Sequence, residues 1–274
     1  MARSPRTPRA ARPAAGALTV LATFGVLTLG APSAVQASPT PVTYDALGDS
    51  YASGYGVNGT GPCGQSPAAY GMQVDGRMHI ALDDFVACAG ATTASLVAGG
   101  QLGALDSDTD LVTLSIGGND IGWSSAVVAC LGGTDQQCAG VSAAVLDRVR
   151  TRLPALLDGL YAQIAADAPN ARVLVTGYPR LFSPEYGAFL AASPAEQQTL
   201  NDGADVLNGV IATAAAAHGF TFVDVTKRFD GHGTNSPEPW ITSPLGPQPL
   251  HPNADGWAAY AAAVTAAYVP GRMG

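Results

Sequence analysis

Basic side chains are scarce in this chain: its 274 residues hold 13 Lys or Arg against 21 Asp or Glu, and four of the 13 are Arg3, Arg6, Arg9 and Arg12. A chain so poor in positive charge repels phosphate backbones and anionic headgroups at long range. That excludes a nucleic-acid partner and leaves any contact with a lipid surface local, apolar and transient. Cysteines number only four, none at the short spacing of a zinc knuckle and none with a histidine close by in sequence, so the pattern offers no metal site. Internal repeats and low-complexity tracts are absent, which excludes repeat architectures. Beyond residue 37 there is no long apolar run that could anchor the chain in a membrane.

At the N-terminus, the four arginines form a positive region ahead of an apolar run from Ala14 to Leu29, and Val35-Gln36-Ala37 supplies small residues at the cleavage positions. The run of about 16 residues falls short of the roughly 20 that span a bilayer, so residues 1–37 read as a secretory signal peptide. Cleavage after Ala37 leaves 237 of the 274 residues, 38–274, a length suited to a single α/β domain. With the four arginines gone, 9 basic groups face 21 acidic ones, a formal charge of −12. The expected product is extracellular, acidic and monomeric. In an exported chain the even set Cys63, Cys88, Cys130 and Cys138 favours pairing. Three connectivities are open, and short loops, cheap to close, favour Cys63 with Cys88 and Cys130 with Cys138.

Short runs rich in branched residues alternate with alanine-rich stretches, the pattern of a parallel sheet covered by helices. The runs predict five strands, at Thr43 to Leu47, Phe85 to Ala87, Leu111 to Ile116, Arg172 to Thr176 and Thr221 to Val225. Val141 to Asp167 is helical in pattern, with Pro154 starting a new helix or kinking a long one. Ser193 to His218 is a second helix, opened by an N-cap serine, a proline and a capping-box glutamate at Ser193-Pro194-Ala195-Glu196. A third runs from Asn253 to Tyr268, where Trp257, Tyr260, Val264 and Tyr268 share one face and read as core packing. The Pro- and Gly-rich stretches at Asn58 to Gly64 and Gly231 to Pro252 read as loops.

Three strand ends and one loop carry the polar residues of interest. Gly48-Asp49-Ser50 follows the first strand and puts a hydroxyl where α/β sheets place ligands, although a serine there also serves as an ordinary helix cap. Cys88-Ala89-Gly90-Ala91 follows the second, and the Gly90 N–H could join an anion site, or the glycine could simply serve a tight turn. Gly117-Gly118-Asn119-Asp120 follows the third. Its glycines permit close approach and Asn119 offers side-chain donors, against the alternatives of a phosphate-binding glycine turn, which lacks the lysine and Ser/Thr of a P-loop, and a plain Asn-Asp cap. Among four histidines, His79 and His218 have no chemical company, His232 lies in a glycine-rich loop, and His251 precedes Pro252-Asn253 and a helix.

Gly48-Asp49-Ser50, Gly90, Gly117-Gly118-Asn119-Asp120 and His251-Pro252-Asn253 occur in the order of the four blocks of the GDSL, or SGNH, hydrolases. The chain resembles the secreted actinobacterial lipases and esterases of that family. The resemblance implies a three-layer α/β/α sandwich with a five-stranded parallel sheet, flavodoxin-like in type. It also implies Ser50 as nucleophile, His251 as its base, and an oxyanion hole built from Ser50, Gly90 and Asn119. Many relatives place an aspartate three residues before the histidine, whereas here that position is Gln248. In some related esterases a backbone carbonyl orients the histidine, which suggests the carbonyl of Gln248 or Pro249; a distant carboxylate such as Asp224 or Asp230 is the alternative. The expected activity is hydrolysis of small-molecule or lipid acyl esters without metal or organic cofactor, with carbohydrate acetyl esters as a second substrate class and a silent binding domain or a flavin-binding protein as rivals.

Overall fold

Branched and leucine side chains pack well on a pleated surface buried on both faces, and they dominate the runs that become strands. In the computed structural model, which describes residues 40–268, these are β1 (Val42–Gly48), β2 (Ile80–Phe85), β3 (Leu111–Ser115), β4 (Arg172–Thr176) and β5 (Thr221–Val223). All pair in parallel, in the order β2-β1-β3-β4-β5. The signal peptide read at 1–37 lies outside the described residues. The helices are α1 (Ser50–Ser53), α2 (Tyr70–Val74), α3 (Thr93–Ala98), α4 (Trp123–Gly132), α5 (Asp135–Thr151), α6 (Leu153–Asp167), α7 (Pro194–Ala217) and α8 (Ala254–Ala267).

The sheet is the middle of three layers. On one side α2 packs on α8; on the other α3, α5, α6 and α7 pack on one another. Every residue of β3 is buried, as expected of a central parallel strand. The chain leaves β1 toward β2 on one flank and returns to place β3 on the other. The carboxyl ends of β1 and β3 therefore border the switch point, where the two outgoing loops diverge and leave a crevice for ligand.

Local departures from the predicted elements have local causes. The second strand runs over Ile80–Phe85 rather than Phe85 to Ala87. It is an edge strand with exposed Asp83 and Asp84, so its apolar density is low. Its register with β1 also shifts between Tyr44 and Asp45, where the Asp45 carboxylate accepts from the Asp84 N–H at 3.1 Å. The fifth strand stops at Val223, because the Asp224 carboxylate accepts from the Thr226 N–H and hydroxyl at 2.8 and 2.7 Å and turns the chain. The helix read from Val141 starts at Asp135, where Thr134 and Gln137 form a capping box, and Pro154 lies in the first turn of α6, as a missing N–H permits. Trp257, Tyr260 and Val264 of the aromatic stripe are fully buried, while Tyr268 is half-buried under the Arg172 guanidinium.

Cys63 is bonded to Cys88 and Cys130 to Cys138, with Cα atoms 4.2 and 4.4 Å apart. The first bridge holds the loop after α1 to the turn that carries Gly90, and the second joins α4 to α5. For separations of 25 and 8 residues, loop-closure entropy sets their contributions at about 3.5 and about 2.5 kcal/mol. Reduction is thus expected to lower the melting temperature. Selective loss of the Cys63–Cys88 bridge should lower it more than loss of the other; the reverse order would count against the entropic account.

Candidate active site

Ser50 opens α1 one residue beyond the Asp49 N-cap, whose carboxylate accepts from the Tyr51 N–H at 2.9 Å. The preceding turn requires glycine. Gly48 has φ +130°, and a Cβ there would lie 2.3 Å from the Ser115 carbonyl oxygen of β3. Gln101 clamps the same glycine, accepting from its N–H at 2.8 Å and donating to its carbonyl at 3.0 Å. Asp49 is 1 % exposed and accepts from the Tyr178 hydroxyl at 2.5 Å. Burial pushes its carboxyl up from 3.8 to about 6, against the Tyr178 and Tyr51 hydrogen bonds. That carboxylate is engaged in holding the turn and does not reach the histidine.

His251 Nε2 lies 2.7 Å from the Ser50 hydroxyl, and its Nδ1 lies 2.6 Å from the Pro249 carbonyl oxygen. A carbonyl only accepts, so Nδ1 carries the proton and Nε2 presents its lone pair to the serine. Desolvation pulls the imidazole below its ordinary 6.5, to about 4, against the Pro249 hydrogen bond, which raises it. A serine hydroxyl bonded to a neutral imidazole can lose its proton as its oxygen attacks an electrophile.

Of the two carbonyls suggested by sequence, that of Gln248 is engaged elsewhere: it accepts from the Thr242 hydroxyl at 2.7 Å, while the Gln248 side-chain oxygen accepts from the Gly56 N–H at 3.1 Å. The carboxylates offered as alternatives also have other partners. Asp224 turns the chain after β5, and Asp230 sits 3.3 Å from the Arg180 guanidinium. His232 stacks on Trp240 at 3.9 Å, and His218 contacts Asp158 at 2.8 Å.

The loops after β2 and β3 are tied together beside Ser50. Asn119 donates from Nδ2 to the Ala91 carbonyl at 2.9 Å, and Asp120 accepts from the Thr93 hydroxyl at 2.6 Å. One Nδ2 hydrogen of Asn119 is thereby fixed and the amide held. The N–H groups of Ser50 and Gly90 donate to no acceptor among the described residues. The Gly118 N–H is used, donating to the Tyr178 hydroxyl at 3.0 Å. Ser50, Asn119 and His251 line one cleft of about 480 Å³, whose walls are Trp123, Val127 and Leu131 of α4, Leu181 beyond β4, and Leu207 of α7. Gly90 sits in the neighbouring turn rather than in the cleft wall.

Several residues that hold this arrangement carried no sequence signal. The ring of His251 packs against those of Tyr51 and Tyr55, with centroids 4.8 and 4.9 Å away. The Tyr51 hydroxyl donates to the Leu250 carbonyl at 2.7 Å, gripping the loop at a residue with φ +56°. Thr242 accepts from the His251 N–H at 3.1 Å through its hydroxyl, and its own N–H donates to the His251 carbonyl at 2.8 Å. Gly56 admits the loop, since a Cβ there would lie 2.9 Å from that of His251. A threonine nine residues upstream of a histidine, or a tyrosine two hundred residues away, has no periodicity to reveal it.

Residues 46–259 match the family described as GDSL-like Lipase/Acylhydrolase family. The chain is 40% identical over 229 residues to Lipase 1 of Streptomyces coelicolor, covering 82% of this chain and 84% of that one. Among solved structures it resembles the extracellular lipase of Streptomyces rimosus, with TM-score 0.78, 35% identity and coverage of 82% and 99%. It likewise resembles phospholipase A1 of Streptomyces albidoflavus, with TM-score 0.77, 36% identity and coverage of 83% and 99%. On the family match, the extent of these identities and the shared fold, the chain belongs to the GDSL-like lipase/acylhydrolase family and is a carboxylic ester hydrolase.

Proposed function

We propose that the chain hydrolyses acyl esters through a Ser50–His251 dyad, oriented by the Pro249 carbonyl and served by an oxyanion hole of the Ser50 N–H, the Gly90 N–H and the Asn119 amide. The observation that carries this reading is the chain of two hydrogen bonds from Ser50 Oγ through the imidazole to Pro249 O, at 2.7 and 2.6 Å. Ser50 Oγ attacks the ester carbonyl carbon as its proton passes to His251 Nε2. The carbonyl π electrons move onto oxygen, where the three donors stabilise the developing charge. Collapse breaks the bond to the leaving alkoxide, which takes the proton from Nε2 and departs as alcohol. Water, giving a proton to the same nitrogen, then attacks the acyl carbon; collapse breaks the bond to Ser50 Oγ, which takes the proton back from Nε2 as the carboxylic acid leaves.

The apolar walls of the cleft support an acyl chain over an acetylated sugar, which would need polar groups along those walls. Residues 1–37 are read as an export signal ahead of one catalytic domain at 38–274. The extracellular lipase of Streptomyces rimosus, similar over most of its length, supports that reading.

The dyad makes a pH prediction. Because His251 is held below 6.5, toward about 4, the imidazole stays neutral, with Nε2 able to accept a proton through weakly acidic solution. The kcat/KM for a soluble p-nitrophenyl ester should stay level as pH falls through 6.5 and drop only nearer about 4. A carboxylate partner would have the opposite sign, raising the imidazole pKa. Asp224→Asn and Asp230→Asn should therefore leave the acid limb in place, with folding followed by circular dichroism in the same buffers. A limb above 6.5, or one displaced in either variant, would return a carboxylate to the site.

A further inference from the structure

Apolar side chains crowd the outer edge of the cleft as well as its walls. Val128, Leu190 and Leu245 belong to three separate segments, all line the cleft, and yet are 71%, 50% and 79% exposed. The segments that carry them, residues 121–134, 186–195 and 239–254, contain no Asp, Glu, Lys or Arg, in a chain whose net charge is −8. Leu190 is held outward by a φ of +53° in a tight turn closed between Phe189 and Ala192. Scattered single leucines on a surface are ordinary. Three converging on one opening, inside an uncharged margin, form a patch.

We propose that this margin is a docking surface for uncharged or zwitterionic lipid, into which Val128, Leu190 and Leu245 insert so that the cleft opens directly onto the acyl layer. The absence of charge from all three segments removes the desolvation cost that a buried carboxylate or ammonium would impose. The acidic remainder of the surface is repelled by anionic headgroups, so the docking force is apolar contact at the rim. An acyl chain would then pass from lipid to cleft wall without crossing water. The proposal rests on the ester-hydrolase reading of the cleft only for its purpose, since docking itself requires no turnover.

The test is vesicle binding with lipid that cannot be hydrolysed. The protein is mixed with large vesicles of diether phosphatidylcholine, and its partition coefficient is measured by flotation. Val128→Asp, Leu190→Asp and Leu245→Asp are each expected to lower that coefficient about tenfold or more, as loss of an inserted aliphatic side chain demands. All three sites are exposed, and melting temperatures verify that the variants fold. Leu156→Asp, at an exposed leucine outside the cleft, should change it less than twofold. Adding anionic phosphatidylglycerol at low salt should weaken binding. Failure of the wild-type protein to bind, or an equal loss with Leu156→Asp, would overturn the proposal. So would sedimentation showing a dimer that Leu245→Asp dissociates, because the margin would then be covered by a second copy. Because diether lipid is not cleaved, a failure here is separate from a failure of the dyad, which soluble esters report.

Discussion

Ser50→Ala is expected to lower kcat for a soluble p-nitrophenyl ester by about 10⁴-fold or more while leaving the melting temperature close to that of the parent. Nothing beside the serine can replace its oxygen. Asp49 is buried and bonded to Tyr178 and Tyr51, and the imidazole is arranged to take a proton. The substitution keeps the Ser50 backbone N–H, so a residual rate above that in water should persist from the remaining donors. A fluorophosphonate probe supplies a second readout, labelling the wild-type protein at Ser50 and leaving the variant unlabelled. Labelling at another residue, or retention of more than a few per cent of kcat in a folded variant, would move the nucleophile.

Next in size is Asn119→Ala, for which kcat should fall by about 10² to 10³, or about 3 to 4 kcal/mol in the barrier, with a much smaller change in KM. The reason for the split is geometric. In the proposed oxyanion hole, a planar ester carbonyl would gain less from the amide than the tetrahedral oxyanion with its full charge. Asn119 also donates to the Ala91 carbonyl at 2.9 Å, so the variant could act by loosening that turn instead. A trifluoromethyl ketone separates the two effects, because its adduct with serine carries the oxyanion. Its affinity should fall in step with kcat/KM while the melting temperature holds. A rise in KM with kcat unchanged would take Asn119 out of the oxyanion hole.

Much of the architecture was legible because its determinants are local in sequence. Branched residues at Leu111 to Ser115 and Arg172 to Thr176, the capping box at Ser193 and the stripe through Trp257 and Tyr260 each state their structure within a few residues. The edge strand Ile80–Phe85 carries little apolar signal of its own, because an edge half open to water tolerates Asp83 and Asp84, and the apolar residues that suggest a strand lie at its end. The helix Trp123–Gly132 went unread for a different reason: it lines the cleft and lacks the charged face by which a surface helix is recognised.

By itself the sequence determined the sheet and the order of the glycine-rich turns, since backbone preference is a property of neighbouring residues, and its resemblance to a known family singled out the candidate pair Ser50 and His251. It left three groups open as partners for the imidazole: a backbone carbonyl at Gln248 or Pro249, Asp224, and Asp230. Only the tertiary structure decided among them. Pro249 O stands 2.6 Å from Nδ1, Gln248 O is taken by Thr242, and the two aspartates are turned to Thr226 and Arg180. The same is true of the tyrosines that pack against the ring and of the aliphatic margin of the cleft, which gathers Val128, Leu190 and Leu245 from three distant stretches. Hydrogen bonds act over about 3 Å and rings pack within about 7 Å. Which atoms come that close depends on how the folded loops cross, and a linear sequence does not record those crossings.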